Sequence, residues 1–425
     1  MFIIKDLKGK RLLLLGGNMF KDSIRQIADA YGIYLIAVSN DPNAEIFEVS
    51  DEKYIISSTD SDAMKAFIKE HNIDGVYMGC SEPVISVACQ YIAELGLPCY
   101  CTKKQWDFLQ NKVNFKNLCI EHGLPVVPQY SENDIPKNEY PVIVKPVDGC
   151  GSKGFSVCKD ENEIKEAVKI AKDNSASKDV LIEKFVKNEG VVVFYTFSNG
   201  KAYFSGIEDK YPVRYSEQGR YVAGMLVLES SLEKEFKTKF EDKIEKAFSD
   251  IGIKEGTIWM EVFHNGKDYF FNEAGFRYGG SISIYSVDYV CGINQLAMDI
   301  YYALTGESMI SGFEPLIPES IERGKHYCVY SLHITPGRIC SVEGYSELLA
   351  NKNVVVIPTA MSIGRSVEMS GTIGQVFGFV HFIFDTLDEC RKMVDLIHNT
   401  LKIIDENGNN MLMRKIELDS KKMVL

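Results

Sequence analysis

The chain has 425 residues, 45% of them apolar, and a formal net charge of −12. Its length suits two to four domains, and its apolar content is that of an ordinary soluble globular protein. The acidic balance argues against a nucleic-acid surface, and no apolar run approaches the roughly 20 residues that cross a bilayer.

The first stretch, MFIIKDLKGKRLLLLGG, interleaves charges with a short apolar run and lacks a signal-peptide pattern. Eleven cysteines are scattered without zinc-type spacing, which predicts reduced structural thiols in a cytoplasmic protein. Strand and helix then alternate. Arg11–Leu15 reads as a strand ending in Gly16-Gly17, residues 21–31 as a helix, Ile33–Val38 as a strand, and Gly75–Met78 as another before the helix Glu82–Leu95. This is the pattern of a doubly wound, Rossmann-like α/β unit. Gly16-Gly17 is not a G-x-G-x-x-G turn, so no dinucleotide site is assigned. The loop Gly79–Glu82 follows a strand, where open sheets bind ligands, and is a candidate for substrate contact.

Trp106–His122 has helical spacing and contains Lys112. The strand YPVIVK, 140–145, ends in Lys145 and runs into DGCGSKGF, 148–155. Strand, glycine loop and return strand make a flap rather than a P-loop, because G-x-x-x-x-G-K-[ST] is missing. Backbone N–H groups of such a loop can cradle phosphate oxygens, with Ser152 and Lys153 adding a hydroxyl and a charge. A lysine closing an apolar strand needs an anionic partner. VLIEKFV, 180–186, is a strand carrying Glu183; residues 208–224 are polar and tyrosine-rich, as a long active-site segment would be.

Residues 257–281, TIWMEVFHNGKDYFFNEAGFRYGGS, read as a β-hairpin turning at Asn265-Gly266. Each strand carries a carboxylate among apolar neighbours, Glu261 and Glu273. Two facing carboxylates repel, and a divalent cation between them resolves this. Arg277 and Gly279-Gly280 follow, and that set suits a phosphate. The same pattern also suits a plain hairpin with two solvent-facing glutamates. Residues 321–425 form a further alternation of strand and helix, in which His326 and His333 read as packing residues and His264 as a surface residue of the hairpin.

The order Lys112, Lys145, glycine flap, Glu183, Glu261, Glu273, Arg277 resembles the ATP-grasp superfamily, whose members join a carboxylate to an amine or another nucleophile through an acyl phosphate. Glu273 lies twelve residues after Glu261 and Arg277 four after Glu273, similar to the biotin-carboxylase branch. The C-terminal region is also similar to the L-amino-acid-ligase group. The resemblance implies a mixed α/β and α+β architecture. It comprises a Rossmann-like domain at 1–105, an ATP-grasp domain at 106–310 with a mobile glycine flap subdomain at about 140–187, and a C-terminal lid domain at 311–425. It implies Lys112 and Lys145 at the nucleotide phosphates, and Gly149, Gly151, Ser152, Lys153 and Gly154 as the flap. Glu183, with the backbone at Phe185 and Val186, would hold adenine, with Glu189 at the ribose. Glu261 and Glu273 would bind magnesium, with manganese as a substitute, and Arg277 would join Lys145 as a catalytic residue at the transferred phosphoryl. The partners implied are ATP and small-molecule carboxylate and amine substrates, with neither nucleic acid nor membrane; a homodimer is a compatible assembly.

Several positions depart from the family. Many members have Glu-x-Asn at the second metal strand, where this chain has Glu273-Ala274-Gly275. Strand alternation places Asn272 on the opposite side, so either one metal is held less tightly or a water or main-chain oxygen fills the place, and Gly275→Asn would restore a ligand provided the backbone there does not need φ > 0. Position 190 is glycine where an acid is common. The slots for the bicarbonate-binding arginine and glutamate of biotin carboxylase are Ser331 and Ser281, and Ala223 replaces a lysine although Gln218 is kept; biotin carboxylation is excluded on these grounds. The second function compatible with the sequence is a nucleotide-binding protein of this fold without ligase activity, which Gly275 motivates.

Overall fold

The computed structural model describes residues 5–148, 154–186, 189–215, 221–416 and 423–424. Its first unit is a four-stranded parallel sheet. Glu52–Ile55, Tyr34–Ser39, Arg11–Leu14 and Gly75–Tyr77 lie side by side in that order. Leu12, Leu13 and Leu14 are fully buried, as expected of a strand covered by helices on both faces. The chain order reverses between Arg11–Leu14 and Gly75–Tyr77, which opens a crevice at their carboxyl ends. Gly79 sits there with φ +72°, and a Cβ on it would lie 3.2 Å from the Gly16 Cα. Only glycine permits that approach without strain.

The helical stretch predicted over 106–122 is two helices, Lys103–Gln110 and Lys112–Glu121. Thr102 and Gln105 form a capping box that starts the first earlier than expected. Asn111 breaks the run, its side chain accepting from the Val113 and Asn114 amides as the cap of the second helix. Likewise 284–304 is divided into Ile284–Cys291 and Gln295–Thr305 by Gly292 in the left-handed region and by the Asn294 cap.

Gln129–Tyr130, Val180–Lys184, Val142–Pro146 and Ser156–Cys158 make a small antiparallel sheet under the helix Ile164–Asp173. Val142, Val144 and Ile182 pack into its core with Ala167, Val168 and Ala171. Alternation then turns Ile143, Lys145 and Glu183 to the other face, where Glu183 is the direct partner of Ile143.

Apart from two two-stranded sheets in the C-terminal region, the remaining strands form one nine-stranded sheet. From its edge it runs Tyr269–Gly275, Gly256–His264, Gly190–Ser198, Lys201–Arg214, Tyr221–Leu228, His326–His333, Val376–Phe384, Val354–Val356, with Met423–Val424 beside Lys201–Arg214. The segment 208–224, expected to be a long active-site stretch, falls mostly within the strands Lys201–Arg214 and Tyr221–Leu228 over its described residues, with Glu208 buried and Asp209, Lys210 and Tyr211 half-buried. The sheet is continuous from the hairpin into the C-terminal region through Tyr221–Leu228 pairing with His326–His333. One face packs on the helix Glu233–Asp250 through Phe236, Phe240, Ile244 and Phe248. The other meets the helices Ile284–Cys291 and Gln295–Thr305 and the first unit. No described helix is long and apolar enough to cross a membrane, and the described cysteines are free thiols.

Candidate active site

The predicted hairpin is present. Asn265 Oδ1 accepts from the Lys267 and Asp268 amides at 3.0 and 2.8 Å, and Gly266 takes φ +93°, so the turn closes. Glu261 and Glu273 are direct cross-strand partners. Beyond them the register slips: Val262 pairs with Phe271, and Asn272 is the extra residue of a β-bulge. The bulge overturns the alternation argument that put Asn272 on the far side. Asn272 Nδ2 donates to Glu261 Oε2 at 2.6 Å, and its Oδ1 accepts from Lys145 Nζ at 3.1 Å.

Each carboxylate of the hairpin has a lysine partner. Lys210 pairs with Glu261, and Lys112 Nζ lies 3.6 Å from Glu273 Oε2. Burial disfavours the charge on Glu261, but Lys210, Asn272 and Lys145 outweigh it and hold its pKa below the ordinary value. Half-buried carboxylate oxygen donors in cross-strand register fit a hard divalent cation. Among the described residues no group of three or more His, Cys, Asp or Glu forms an all-protein cage. Two carboxylates completed by phosphate oxygens are what magnesium commonly takes.

The small sheet brings a second group of charges toward the first. Lys145 Nζ is 2.6 Å from Glu183 Oε2. Glu183 Oε1 pairs with Lys116, a lysine with no exposed side-chain surface. Burial draws the Lys116 ammonium down to about 8 while Glu183 opposes it; Glu183 itself is kept below the ordinary range, because Lys145 and Lys116 overcome its burial. Sequence reasoning missed Lys116, although the signal was there: it stands beside Phe115 and Cys119, on the buried side of its helix. It also missed Lys210, two residues past the buried Glu208 on the same strand.

Arg277 reaches back to the first unit. Its Nε and Nη2 donate to Glu82 Oε1 at 3.1 and 2.6 Å, and Nη1 donates to the Tyr278 carbonyl at 2.7 Å. The loop Gly79–Glu82 thus meets the hairpin through one charged pair. Arg277 also lies over the Trp259 ring, 5.5 Å from its centre.

Trp259 accounts for Gly275. The two are cross-strand partners, and a Cβ on Gly275 would stand 2.2 Å from Trp259 Nε1. An indole fills the volume where an asparagine side chain would stand, so a restored Asn ligand does not fit there. Trp259 Nε1 finds no acceptor among the described residues. Gly190 has a similar explanation: its φ is +145°, and a Cβ would lie 2.2 Å from the Val262 carbonyl oxygen, so no acid can occupy that position. The Glu189 carbonyl accepts from the His264 amide at 3.0 Å.

The Phe185 amide donates to the Pro141 carbonyl at 3.0 Å, and Phe185 and Val186 are half-buried. Gly154 has φ +71°, and a Cβ would crowd Asn174 at 2.6 Å. Gly149, Gly151, Ser152, Lys153 and Gln218 lie outside the described residues. Asp148, where the flap begins, accepts from Ser175 Oγ and the Ser177 amide at 2.7 and 2.8 Å. Ser331 and Ser281 are both buried. His333 sits between the Tyr215 hydroxyl, at 2.6 Å, and the Ala223 carbonyl, at 2.7 Å, and burial lowers its pKa to about 4, so it is a neutral packing residue. His326, expected to be a packing residue, is exposed at the start of its strand, its ring tilted against Phe384 at 5.4 Å; the His264 ring is tilted against Tyr269 at 4.5 Å.

Residues 138–284 match the ATP-grasp domain family. The chain is 25% identical over 204 residues to the formate-dependent phosphoribosylglycinamide formyltransferase of Sulfurisphaera tokodaii, a match covering 45% of this chain and 51% of that protein. The chain thus spans about half the length of such curated relatives. Its fold is similar to that of the L-amino acid ligase from Bacillus licheniformis, with TM-score 0.72 and 19% identity over 95% of this chain and 100% of the other. It is equally similar to the biotin carboxylase domain dimer of 2-oxoglutarate carboxylase from Hydrogenobacter thermophilus, solved with MgADP, ADP and bicarbonate. That TM-score is 0.72, at 16% identity over 93% of this chain and 90% of the other.

Proposed function

We propose that this chain, which carries an ATP-grasp domain at residues 138–284, is an ATP-dependent ligase. It joins a carboxylate to an amine, amino acids among them, through an acyl phosphate, and releases ADP and phosphate. The observation that carries the reading is the convergence of Lys145, Asn272, Glu261 and Glu273 from two separate sheets. Such a charge set has little structural justification, because buried ion pairs contribute weakly to stability. It suits a polyanion with a divalent cation.

A carboxylate oxygen is a poor leaving group, so phosphorylation must precede attack by the amine. The protein's part is positioning and charge neutralisation. Lys145 and Lys112 serve the nucleotide phosphates, with the flap 149–154 over them. Both Glu183 oxygens are taken by lysines, so the adenine falls to the backbone at Phe185 and Val186 on the segment that follows Glu183, and the ribose to Glu189. Arg277, steered by Glu82, holds the phosphoryl oxygens or the carboxylate being activated. Magnesium, or manganese in its place, is held by Glu261 and Glu273 and supplies charge neutralisation when bound. Both carboxylates act as ligands, and neither as a general base. The crevice at Gly79–Glu82 borders Arg277 through Glu82, which favours it for the carboxylate substrate. On this reading the units near 1–105, 106–310 and 311–425 are the substrate, nucleotide and lid parts of a cytoplasmic enzyme, with a homodimer as the assembly to examine.

The test is ADP release by purified protein with ATP, magnesium and pooled carboxylates and amines. Release that needs one member of each pool is expected. Tight ATP binding with no ADP in any pool would replace this reading with a binding protein of the same fold.

A further inference from the structure

Glu183 is 2% exposed and carries two ammonium partners, one on each oxygen. They are not equivalent. Lys145 has 12% of its side chain exposed and also donates to Asn272, on the large sheet, at 3.1 Å. It therefore stands at the boundary between the two sheets. Lys116 has no exposed side-chain surface, and Glu183 is the carboxylate it pairs with. It rises from the helix Lys112–Glu121 behind the small sheet and has no open path to a ligand.

A buried carboxylate keeps its charge only against a compensating cation, and losing one partner of a buried pair is strongly unfavourable. If Lys145 serves the phosphates, which is the reading given above and on which this inference rests, its ammonium must turn from Glu183 toward a polyanion. With Lys145 as its sole partner, Glu183 would then be left as a buried, unpaired charge. It would compete with the phosphates for the same ammonium. A second cation that stays in place removes both penalties.

We propose that Lys116 is a positioning residue for nucleotide binding: it holds the charge of Glu183 and thereby releases Lys145 to the phosphates. Lys116 touches neither the nucleotide nor the reacting atoms. Its effect passes through Glu183 to Lys145. It therefore belongs to the phosphate part of the binding free energy and not to the adenine part.

The test is calorimetric titration of the full-length protein with adenosine and with ATP plus magnesium, for wild type, Lys116→Gln, Lys145→Ala and the double variant. Lys116→Gln should weaken ATP binding about tenfold or more while leaving adenosine nearly unchanged. In the Lys145→Ala background it should cost no further ATP affinity. Equal losses for adenosine and ATP, or independent losses in the two backgrounds, would overturn the proposal in favour of a purely structural lysine. Where Lys116→Gln does not fold, the double variant Lys116→Gln, Glu183→Gln takes its place. With the charge of Glu183 gone the second cation has no task, so the ratio of ATP to adenosine affinity should match wild type, and a lower ratio overturns the proposal. If Lys145→Ala alone leaves ATP affinity untouched, the placement of Lys145 at the phosphates fails, and this inference fails with it; the two failures are distinguished by that single variant.

Discussion

Lys145 is the residue on which the proposed nucleotide site turns. Its charge faces Glu183 and Asn272 from the end of an apolar strand. Lys145→Ala should weaken ATP binding by about 1.5–3 kcal/mol, the range of a hydrogen bond to a charged group. Calorimetry checks this, and unchanged affinity would remove the lysine from the site. Gly275 gives a prediction of the opposite kind from the one its sequence context suggests. Gly275→Asn should not tighten metal binding, because its Cβ would stand 2.2 Å from the Trp259 indole. Overpacking there should cost about 1–3 kcal/mol of stability, read as a fall in unfolding midpoint in denaturant. Tighter manganese binding without destabilisation would mean that the indole yields.

Glu208 makes a separate pH prediction. It is fully buried on the same face as Glu261 through the row Glu261, Val192, Glu208. Burial raises its pKa from 4.5 to about 8, against which Ser286 Oγ, donating at 3.1 Å, works only weakly. The folded pKa exceeds the unfolded one, so folding takes up a proton. Stability from the neutral acid is complete below the unfolded pKa of about 4.5 and is lost as pH rises through about 8. Wild type should therefore lose a few kcal/mol, about 3–5 at most, relative to Glu208→Gln on going from about pH 5 to pH 9. Parallel stability curves for the two proteins would show that Glu208 titrates normally.

At the scale of elements, the hairpin and its turn were legible because β-branched and aromatic runs flank Asn265-Gly266. The bulge was not. Nothing in the string FFNEAG marks Asn272 as an extra residue, and the slip depends on how the facing strand pairs. Strand alternation then assigned Asn272 to the wrong side, and with it the site lost its bridge between Lys145 and Glu261. The Asn111 break was missed for a different reason: the apolar period continues through it, and only the cap geometry shows two helices. Trp259 was hidden because a large aromatic on a strand reads as core. The link between Arg277 and the helix Glu82–Glu94 makes an element-level prediction. Glu82→Gln should lower kcat severalfold by letting Arg277 drift, with ATP affinity kept, in steady-state kinetics and calorimetry together. Equal losses in both would place Glu82 at the nucleotide instead.

At the scale of the whole molecule, alternation of strand and helix made the first unit readable, while the extent of the large sheet was not. Its C-terminal strands enter by non-local pairing, with Tyr221–Leu228 joined to His326–His333 across roughly a hundred residues. The span 138–284 that matches the ATP-grasp family thus ends inside a shared core. Expressed alone, that span should show no cooperative thermal transition, whereas the full chain should; a sharp transition from the fragment would show that the sheet divides there.

The central claim is that this site activates a carboxylate as an acyl phosphate, and trapping tests it most directly. Purified protein is given ATP, magnesium and pooled carboxylates, with hydroxylamine replacing the amine, and hydroxamate and ADP are measured together. Hydroxamate in step with ADP is expected for one carboxylate class, nearly abolished by Glu273→Gln, which keeps size and loses the charge proposed to hold the metal. ADP formed without hydroxamate in every pool, or normal turnover by Glu273→Gln at every magnesium concentration, would contradict it.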